Sequence, residues 1–239
     1  YKRQVINFSG NVGKSTIARH LLAPRISGAK VIAIESINAD DGAQESDEKL
    51  RGRQFGELQE RLLSGDNLVV DVGASNVEAF VALMSEFDGS HDDFDLFVVP
   101  AVRAEKQQRD TISTLVSLSE MGIPAKKIVV VFNQIDRVDG FSKEQFIAIF
   151  NFHENTGYFR LHPQAYLHQS DVYKYSIDAG RSISEILADS RDYKQEIART
   201  SSADEKKRLL SLLAFQRLSG RVNTELDDVF EMVVGQYSA

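Results

Sequence analysis

Residues 8–16 of the chain read FSGNVGKST, and this stretch decides the fold. An apolar run over residues 5–8 predicts a strand that leads into it, and residues 17–22 (IARHLL) follow with helical spacing. A loop that binds phosphate must aim several backbone N–H groups at one anion. Glycines permit that, and the following helix adds the positive end of its dipole. The order strand, glycine-rich turn, Lys-Ser-Thr and helix therefore predicts a phosphate-binding loop.

Apolar runs of strand length alternate with helical patterns over the first half of the chain. Strands are predicted at residues 5–8, 30–35, 67–73, 94–100 and 127–133, and helices at 14–22, 55–63, 77–86 and 106–121. The polar, acidic residues 38–53 predict a loop that runs into a helix. Continuous apolar strands between helices predict a parallel sheet covered on both faces. Ligands bind beyond the carboxyl ends of such strands, where the sequence places Gly10, Glu35, Asp71, Pro100 and Asn133.

Strand signals stop after residue 176, and the remaining chain has helical patterns. Residues 181–199 are predicted to be helical, and Ser202 with Glu205 forms a capping-box pattern. A long amphipathic segment follows, with apolar residues at 209, 212, 215, 218, 222, 226, 229 and 233, and we expect Gly220 to interrupt it. The predicted fold is therefore α/β, a three-layer P-loop NTPase with a mainly parallel sheet, helices on both faces and a helical C-terminal region. Its predicted domains are a nucleotide-binding domain at 1–176 and a helical region at 177–239 packed on the same domain.

Composition narrows the class of protein. The 239 residues carry a net charge of −7 and 42 % hydrophobic residues, enough for a sizeable core but not the overall charge of a protein that coats DNA. The absence of cysteine excludes disulfides and Cys-ligated metal centres and predicts a cytoplasmic location. No apolar run reaches the length of a membrane-spanning helix. Since Tyr1 is the first residue, we expect a trimmed N-terminus.

The loop departs from the common spacing G-x-x-x-x-G-K-[ST], because Phe8 stands where that pattern has its first glycine. The variant K-G-G-x-G-K-[ST] fits at four positions, which are Gly10, Gly13, Lys14 and Ser15. Ser9 replaces its first Lys, and Asn11 replaces its second Gly. In such a loop Lys14 reaches the β- and γ-phosphates, and the Ser15 hydroxyl ligates Mg²⁺.

These features resemble the ParA/MinD group of P-loop ATPases, which carry the variant (deviant Walker A) loop. The resemblance covers residues 4–136, and the phrases NFSGNVGKSTIARHLL and EKLRGRQF resemble plasmid stability proteins of the StbB type. It implies Mg²⁺ with ATP, weak ATPase activity, and a homodimer that forms around two nucleotides and separates on hydrolysis. It also implies a role in plasmid stability or partition, a partner protein at a centromere-like site, and non-specific DNA binding. The implied location is the bacterial cytoplasm, at the nucleoid or plasmid, with no membrane partner.

The resemblance also implies roles for individual residues. The residues that wrap the phosphates would be Gly10, Asn11, Val12, Gly13, Lys14, Ser15 and Thr16. Asp71 matches the Walker B acid and Glu35 the acid that ends the second strand, so Ser15, Glu35 and Asp71 form the implied magnesium set. The family's water-orienting Asp falls at Ile37, so Asp40 or Asp41 would take that role beside the catalytic Lys14 and Asp71. Asn133 matches the family's adenine-contacting Asn.

Ser9 is the main departure from the family. The family's first Lys reaches the partner's nucleotide, and phosphoryl transfer depends on such cations. Three alternatives follow for this chain: another basic residue replaces the Lys, hydrolysis is slow, or the dimer is built differently. The candidate basic residues are Arg51, Arg53 and Arg103. A nucleotide-binding regulator with little hydrolysis is therefore an open alternative.

Base selectivity has two open interpretations. Residues 133–136 (NQID) resemble the guanine-reading pattern N-K-x-D, in which the carboxylate of Asp136 would accept hydrogen bonds from guanine. Asp136 equally fits a turn or helix cap. We favour ATP over a GTPase-type switch because of the family resemblance. A small-molecule kinase would need an Arg-rich lid, which the sequence does not show.

The long amphipathic segment that begins at Ser202 carries five basic residues, which are Lys206, Lys207, Arg208, Arg217 and Arg221. They would meet DNA phosphates or form the solvated face of an amphipathic helix. Neighbouring carboxylates, such as Asp227 and Asp228, favour the solvated face.

Overall fold

The computed structural model describes residues 1–34, 48–50 and 55–235. Within them, seven strands form one sheet in the order β3-β2-β4-β1-β5-β6-β7, and every pairing is parallel. The strands are β1 (Lys2–Val5), β2 (Lys30–Ile34), β3 (Glu48–Leu50), β4 (Leu68–Val72), β5 (Leu96–Ala101), β6 (Ile128–Ile135) and β7 (Tyr166–His168). The chain leaves β1 toward β2 on one side and later returns to β5 on the other. The carboxyl end of β1 is therefore the point where the strand order reverses, a usual place for ligands.

The strands alternate with helices along the chain. The helix after β1 begins as α1 (Lys14–Thr16), continues as a π-helix (Ile17–Leu22) and ends in a 3₁₀ turn (Ala23–Arg25). The later helices are α2 (Phe55–Leu63), α3 (Val77–Glu86), α4 (Glu105–Glu120), α5 (Ile147–Thr156), α6 (Val172–Ala179), α7 (Ile183–Leu187), α8 (Tyr193–Arg199) and α9 (Ala203–Val234).

The central strands are buried along their length. Every residue of β4 and β5 is buried, and in β6 Gln134 alone is exposed. Apolar residues of α2, α3, α4 and α5 join those strands in one core cluster. Strands covered by helices show continuous rather than alternating apolar residues. The predicted α/β class with a parallel sheet is confirmed.

Two short strands were not predicted. β3 lies inside the predicted loop 38–53, and β7 lies in a stretch for which no element was predicted. Each has three residues, too few for an apolar period to show.

The predicted helix at 181–199 is wrong in one respect, because it is two helices, α7 and α8. The Asp189 carboxylate lies between them and accepts hydrogen bonds from Arg181 Nη1 (2.7 Å), Arg191 Nη2 (2.7 Å) and the Tyr193 hydroxyl (2.8 Å). These bonds hold the connecting residues out of helical conformation.

The expectation that Gly220 interrupts the last helix is also wrong, since α9 runs through it. Phe215 and Val222, on either side of Gly220, are buried, and this packing outweighs the low helix propensity of one glycine. The predicted apolar stripe is buried except at Leu218, which is 42 % exposed. Ser219 is buried instead, and its hydroxyl donates to the Phe215 carbonyl (2.7 Å).

Contacts divide the chain into two compact units. One comprises residues 1–169 together with the chain from Val229 onward, and it contains the sheet. The other comprises residues 170–228 and contains α6, α7, α8 and most of α9. The predicted domain boundary at residue 176 stays a prediction. None of the helices among the described residues has the length and apolar character to cross a membrane.

Candidate functional site

The FSGNVGKST loop leaves the carboxyl end of β1 and enters α1. Gly13 has φ +86°, and a Cβ built on it would lie 2.0 Å from Nδ2 of Asn133. Glycine is the residue that satisfies both the left-handed backbone and this close approach. Gly10 differs, because a Cβ there would meet only the Ala74 Cβ at 4.0 Å, an ordinary contact.

The Lys14 side chain folds back over its own loop. Its Nζ donates to the carbonyl of Ser9 (2.7 Å) and to the carbonyl of Asn7 (3.0 Å). The side chain is nearly covered, with 7 % of Lys14 exposed. Burial lowers the pKa of Lys14 to about 8, and the nearby Asp71 opposes that shift. At neutral pH the ammonium therefore remains largely charged.

The side-chain amides of two successive residues near the end of β6 bind backbone carbonyls of the loop. Asn133 Nδ2 donates to the Val12 carbonyl (2.9 Å), and Gln134 Nε2 donates to the Asn11 carbonyl (2.8 Å). Asn11 and Gln134 are the two non-glycine residues with positive φ, at 57° and 59°, in the part of the chain that the structure describes. At Asn11 an uncommon backbone conformation therefore occurs together with a side-chain hydrogen bond from Gln134.

A hydrogen bond to a backbone carbonyl also fixes the direction of the N–H group of the next residue. In a trans peptide the C=O of one residue and the N–H of the next point in opposite directions, and no described peptide bond is cis. Because the carbonyls of Ser9, Asn11 and Val12 are bound by donors, the N–H groups of Gly10, Val12 and Gly13 point away from those donors. The successive N–H groups of Val12 and Gly13 are therefore turned away from β6, and successive N–H groups in a turn are the kind of arrangement that can bind an anion.

Asn7 anchors the front of the loop to α4. It is fully buried, and its Nδ2 donates to the Pro100 carbonyl and to Thr111 Oγ1, both at 2.8 Å. Its Oδ1 accepts the Ser9 N–H at 2.7 Å. Sequence reasoning missed Asn7 and Thr111. A polar residue at the end of an apolar strand was the one signal for Asn7, and none marks Thr111.

Ser9 is buried at the front of the loop. Only 5 % of the residue is exposed, and both of its backbone polar groups are bonded within the loop region. Arg103, one of the basic residues considered as a replacement, is 62 % exposed and pairs with Asp139 at 3.3 Å.

Two oxygen groups suit a magnesium ion beside the loop. The residue Ser15 is exposed, and Asp71 lies at the end of β4, directly beside Val5 of β1. Hydroxyl and carboxylate oxygens are the ligands that Mg²⁺ prefers, so these residues fit the ion. Among the described residues no group of three His, Cys, Asp or Glu forms a preformed metal cage. Mg²⁺ of nucleotide sites commonly keeps waters and phosphate ligands instead.

The remaining predicted site residues fall outside the described part of the chain. These are Glu35, Asp40, its alternative Asp41, and the candidate cations Arg51 and Arg53. Their predicted roles stay predictions.

Asp136 closes a turn. Its Oδ1 accepts the N–H groups of Val138 (2.7 Å) and Asp139 (3.2 Å), and these bonds hold the pKa of Asp136 below its usual value. The turn-cap interpretation matches this geometry, and one carboxylate oxygen is already engaged twice.

No protein-family model matches the sequence, and no curated protein matches it. Solved structures do match. The MinD cell division protein of Aquifex aeolicus is 14 % identical, with a TM-score of 0.53 over 92 % of this chain and 96 % of that one. The cell division ATPase MinD of Pyrococcus furiosus is 11 % identical, with a TM-score of 0.52 over 95 % and 98 %. Apo McdA of Cyanothece is 16 % identical, with a TM-score of 0.50 over 90 % and 98 %.

At these identities the likeness concerns the fold. The predicted three-layer fold with a parallel sheet and a helical C-terminus is confirmed, and it is the fold of the MinD-type P-loop ATPases.

Proposed function

We propose that the chain is a Mg-dependent nucleotide-binding ATPase switch of the ParA/MinD type that acts in plasmid stability or partition. The observation that carries this proposal is the phosphate loop. Its carbonyls at Asn11 and Val12 are held by Gln134 and Asn133, so the N–H groups of Val12 and Gly13 point away from β6 and can donate to a phosphate. The loop sits at the strand-order reversal of a fold shared with MinD.

The loop residues from Gly10 to Thr16 would bind the phosphates. Lys14 would neutralise the β- and γ-oxygens, exchanging its carbonyl contacts for phosphate contacts. Ser15, Asp71 and Glu35 would hold Mg²⁺, which withdraws charge from the phosphate oxygens when bound. Asp40 would orient the attacking water. Because Ser9 supplies no cation, hydrolysis would be slow.

Adenine is the favoured base. A guanine reader needs a carboxylate free to accept two N–H groups of the base. Oδ1 of Asp136 already accepts two backbone N–H groups, so guanine would compete with the turn. Asn133 is buried and its Nδ2 donates to the Val12 carbonyl, so the adenine contact that the family resemblance implies for it would require this side chain to exchange that bond. A GTPase-type switch is the second candidate, supported by the same NQID residues.

Nucleotide state would control the assembly. The γ-phosphate would favour a homodimer, which in turn binds a partition partner protein or non-specific DNA in the bacterial cytoplasm, at the nucleoid or plasmid. The basic residues of α9 that could meet DNA, including Lys206, Lys207, Arg217 and Arg221, are exposed.

Light scattering and calorimetry test the proposal. Molar mass is measured without nucleotide, with Mg-ADP, and with slowly hydrolysed ATP and GTP analogues, and Lys14→Ala is the control. We expect binding of adenine nucleotide that is lost in Lys14→Ala, and a dimer with the ATP analogue alone. A dimer with the GTP analogue alone would replace ATP by GTP in the proposal. Nucleotide binding with an unchanged mass would reject the dimer switch, and absence of any binding would reject the function.

A further inference from the structure

We propose that Gln134 is a positioning residue for the phosphate loop, which its side-chain amide holds in the anion-binding conformation through the Asn11 carbonyl. This inference rests on the proposed function, since it assigns a residue to the same nucleotide site. The pattern N-K-x-D pointed to the base, whereas the observed bond points to the loop.

The backbone at Gln134 is arranged for this bond. Gln134 has φ 59°, a conformation that non-glycine residues rarely adopt outside turns or sites with a special requirement. The pairing of β6 with β7 shifts register between Phe132 and Ile135, at this very position. Such irregularities commonly redirect a side chain next to a functional site. The shift accompanies a Gln134 side chain that bonds Asn11, 123 residues away in sequence, at 2.8 Å.

Packing does not explain the arrangement. Gln134 is exposed, while its neighbours Asn133 and Ile135 are buried. Glycine would adopt the same φ without strain and without losing buried contacts. A glutamine in this conformation is therefore better explained by its bond to the loop than by stability.

The bond acts on one peptide group of the loop. The Asn11 carbonyl is turned toward Gln134, so the N–H of Val12 points away from it. Asn133 does the same for the next peptide, which turns the N–H of Gly13. Two neighbouring amides thus receive their direction from two neighbouring residues of β6. Without the Gln134 bond, the peptide between Asn11 and Val12 can rotate, and the loop must be ordered when phosphate binds.

The test compares three substitutions at one position. Gln134→Gly removes the amide and suits the backbone, Gln134→Glu places an acceptor against the carbonyl, and Gln134→Lys restores a donor. Binding of Mg-ADP is measured by calorimetry at pH 7.5, and thermal unfolding is measured on the same samples without nucleotide. We expect Gln134→Gly to bind about tenfold more weakly, the loss of one hydrogen bond to an ordered loop, with an unchanged or higher Tm.

The other two variants distinguish a positioning role from a purely structural one, because only a positioning role predicts that nucleotide affinity depends on whether residue 134 can donate a hydrogen bond. Gln134→Glu should bind more weakly than Gln134→Gly at pH 7.5 and recover affinity as the pH falls, because a protonated carboxyl can again donate. Gln134→Lys should recover most of the wild-type affinity.

Each outcome decides between the two proposals. If wild-type protein binds Mg-ADP and Gln134→Gly binds it equally well, the positioning role is wrong while the nucleotide site stands. If Gln134→Gly loses affinity together with a large fall in Tm, the residue is structural and the inference is again wrong. If the wild-type protein binds no nucleotide, the proposed function fails, and this inference fails with it.

Discussion

The two loop glycines, Gly10 and Gly13, should respond very differently to alanine. At Gly13 the new Cβ would lie 2.0 Å from Asn133 Nδ2, and the residue would have to keep φ +86°. The left-handed conformation costs an alanine about 1–2 kcal/mol. Moving the buried Asn133 amide away from the Val12 carbonyl costs about 1–3 kcal/mol more. Gly13→Ala should therefore lower the free energy of unfolding by about 2–5 kcal/mol, even without nucleotide.

Gly10→Ala is the matched control. A Cβ at Gly10 meets only Ala74 at 4.0 Å, and Gly10 is not among the glycines with positive φ. We expect a change of less than about 1 kcal/mol, since the lost freedom of the unfolded chain offsets any small strain. Urea and thermal unfolding followed by circular dichroism measure both variants, and for a chain of this size the expected loss in Gly13→Ala is a fall in Tm on the order of 10 °C. Equal stabilities of the two variants would refute the reasoning, because the contact with Asn133 would then not constrain the loop.

Three further predictions concern single groups. Burial lowers the pKa of Lys14 to about 8, and an anion binds the ammonium form of the side chain. Calorimetry should therefore show that the affinity for Mg-nucleotide falls as the pH rises through 8. An affinity that does not change up to pH 9.5 would contradict this. The bonds from Arg191 and Arg181 hold the pKa of Asp189 well below its ordinary value of 3.8, so its stabilisation is complete above that pH and is lost as acid is added below it. The Tm difference between wild type and Asp189→Asn should accordingly shrink from pH 7 to pH 2, and a constant difference would show that the charge is not responsible. Thr111→Val removes the buried acceptor of the Asn7 amide and should cost about 1–2 kcal/mol in urea unfolding, whereas Thr224→Val, whose hydroxyl bond is exposed, should cost much less.

Several elements were predictable because their physical cause is local. β4 and β5 are covered by helices, so their residues are continuously apolar, and the sequence shows this directly. The phosphate loop was predictable because its glycines, Lys14 and Ser15 stand at a fixed spacing between a strand and a helix. The positions of Asn133 and Asp71 at strand ends followed from the same alternation.

Other features depend on neighbours distant in the chain. The three residues of β3 and of β7 pair with longer strands, and their own residues are too few to show a pattern. α9 passes through Gly220 because Phe215 and Val222 on either side of it are buried. Burial depends on the tertiary fold, whereas helix propensity is a local property of the residue.

The sequence by itself determined the α/β class, the parallel sheet and the loop that faces its carboxyl edge, because hydrophobic periodicity and glycine spacing are properties of adjacent residues. Only the tertiary structure decided which loop glycine is irreplaceable, what Asn7 holds, and that Asn133 and Gln134 bond the loop. The bonds from Asn7 to Pro100, from Asn133 to Val12 and from Gln134 to Asn11 each join residues that are more than ninety positions apart in the chain. Their geometry exists only once β1, β5 and β6 lie side by side in the sheet.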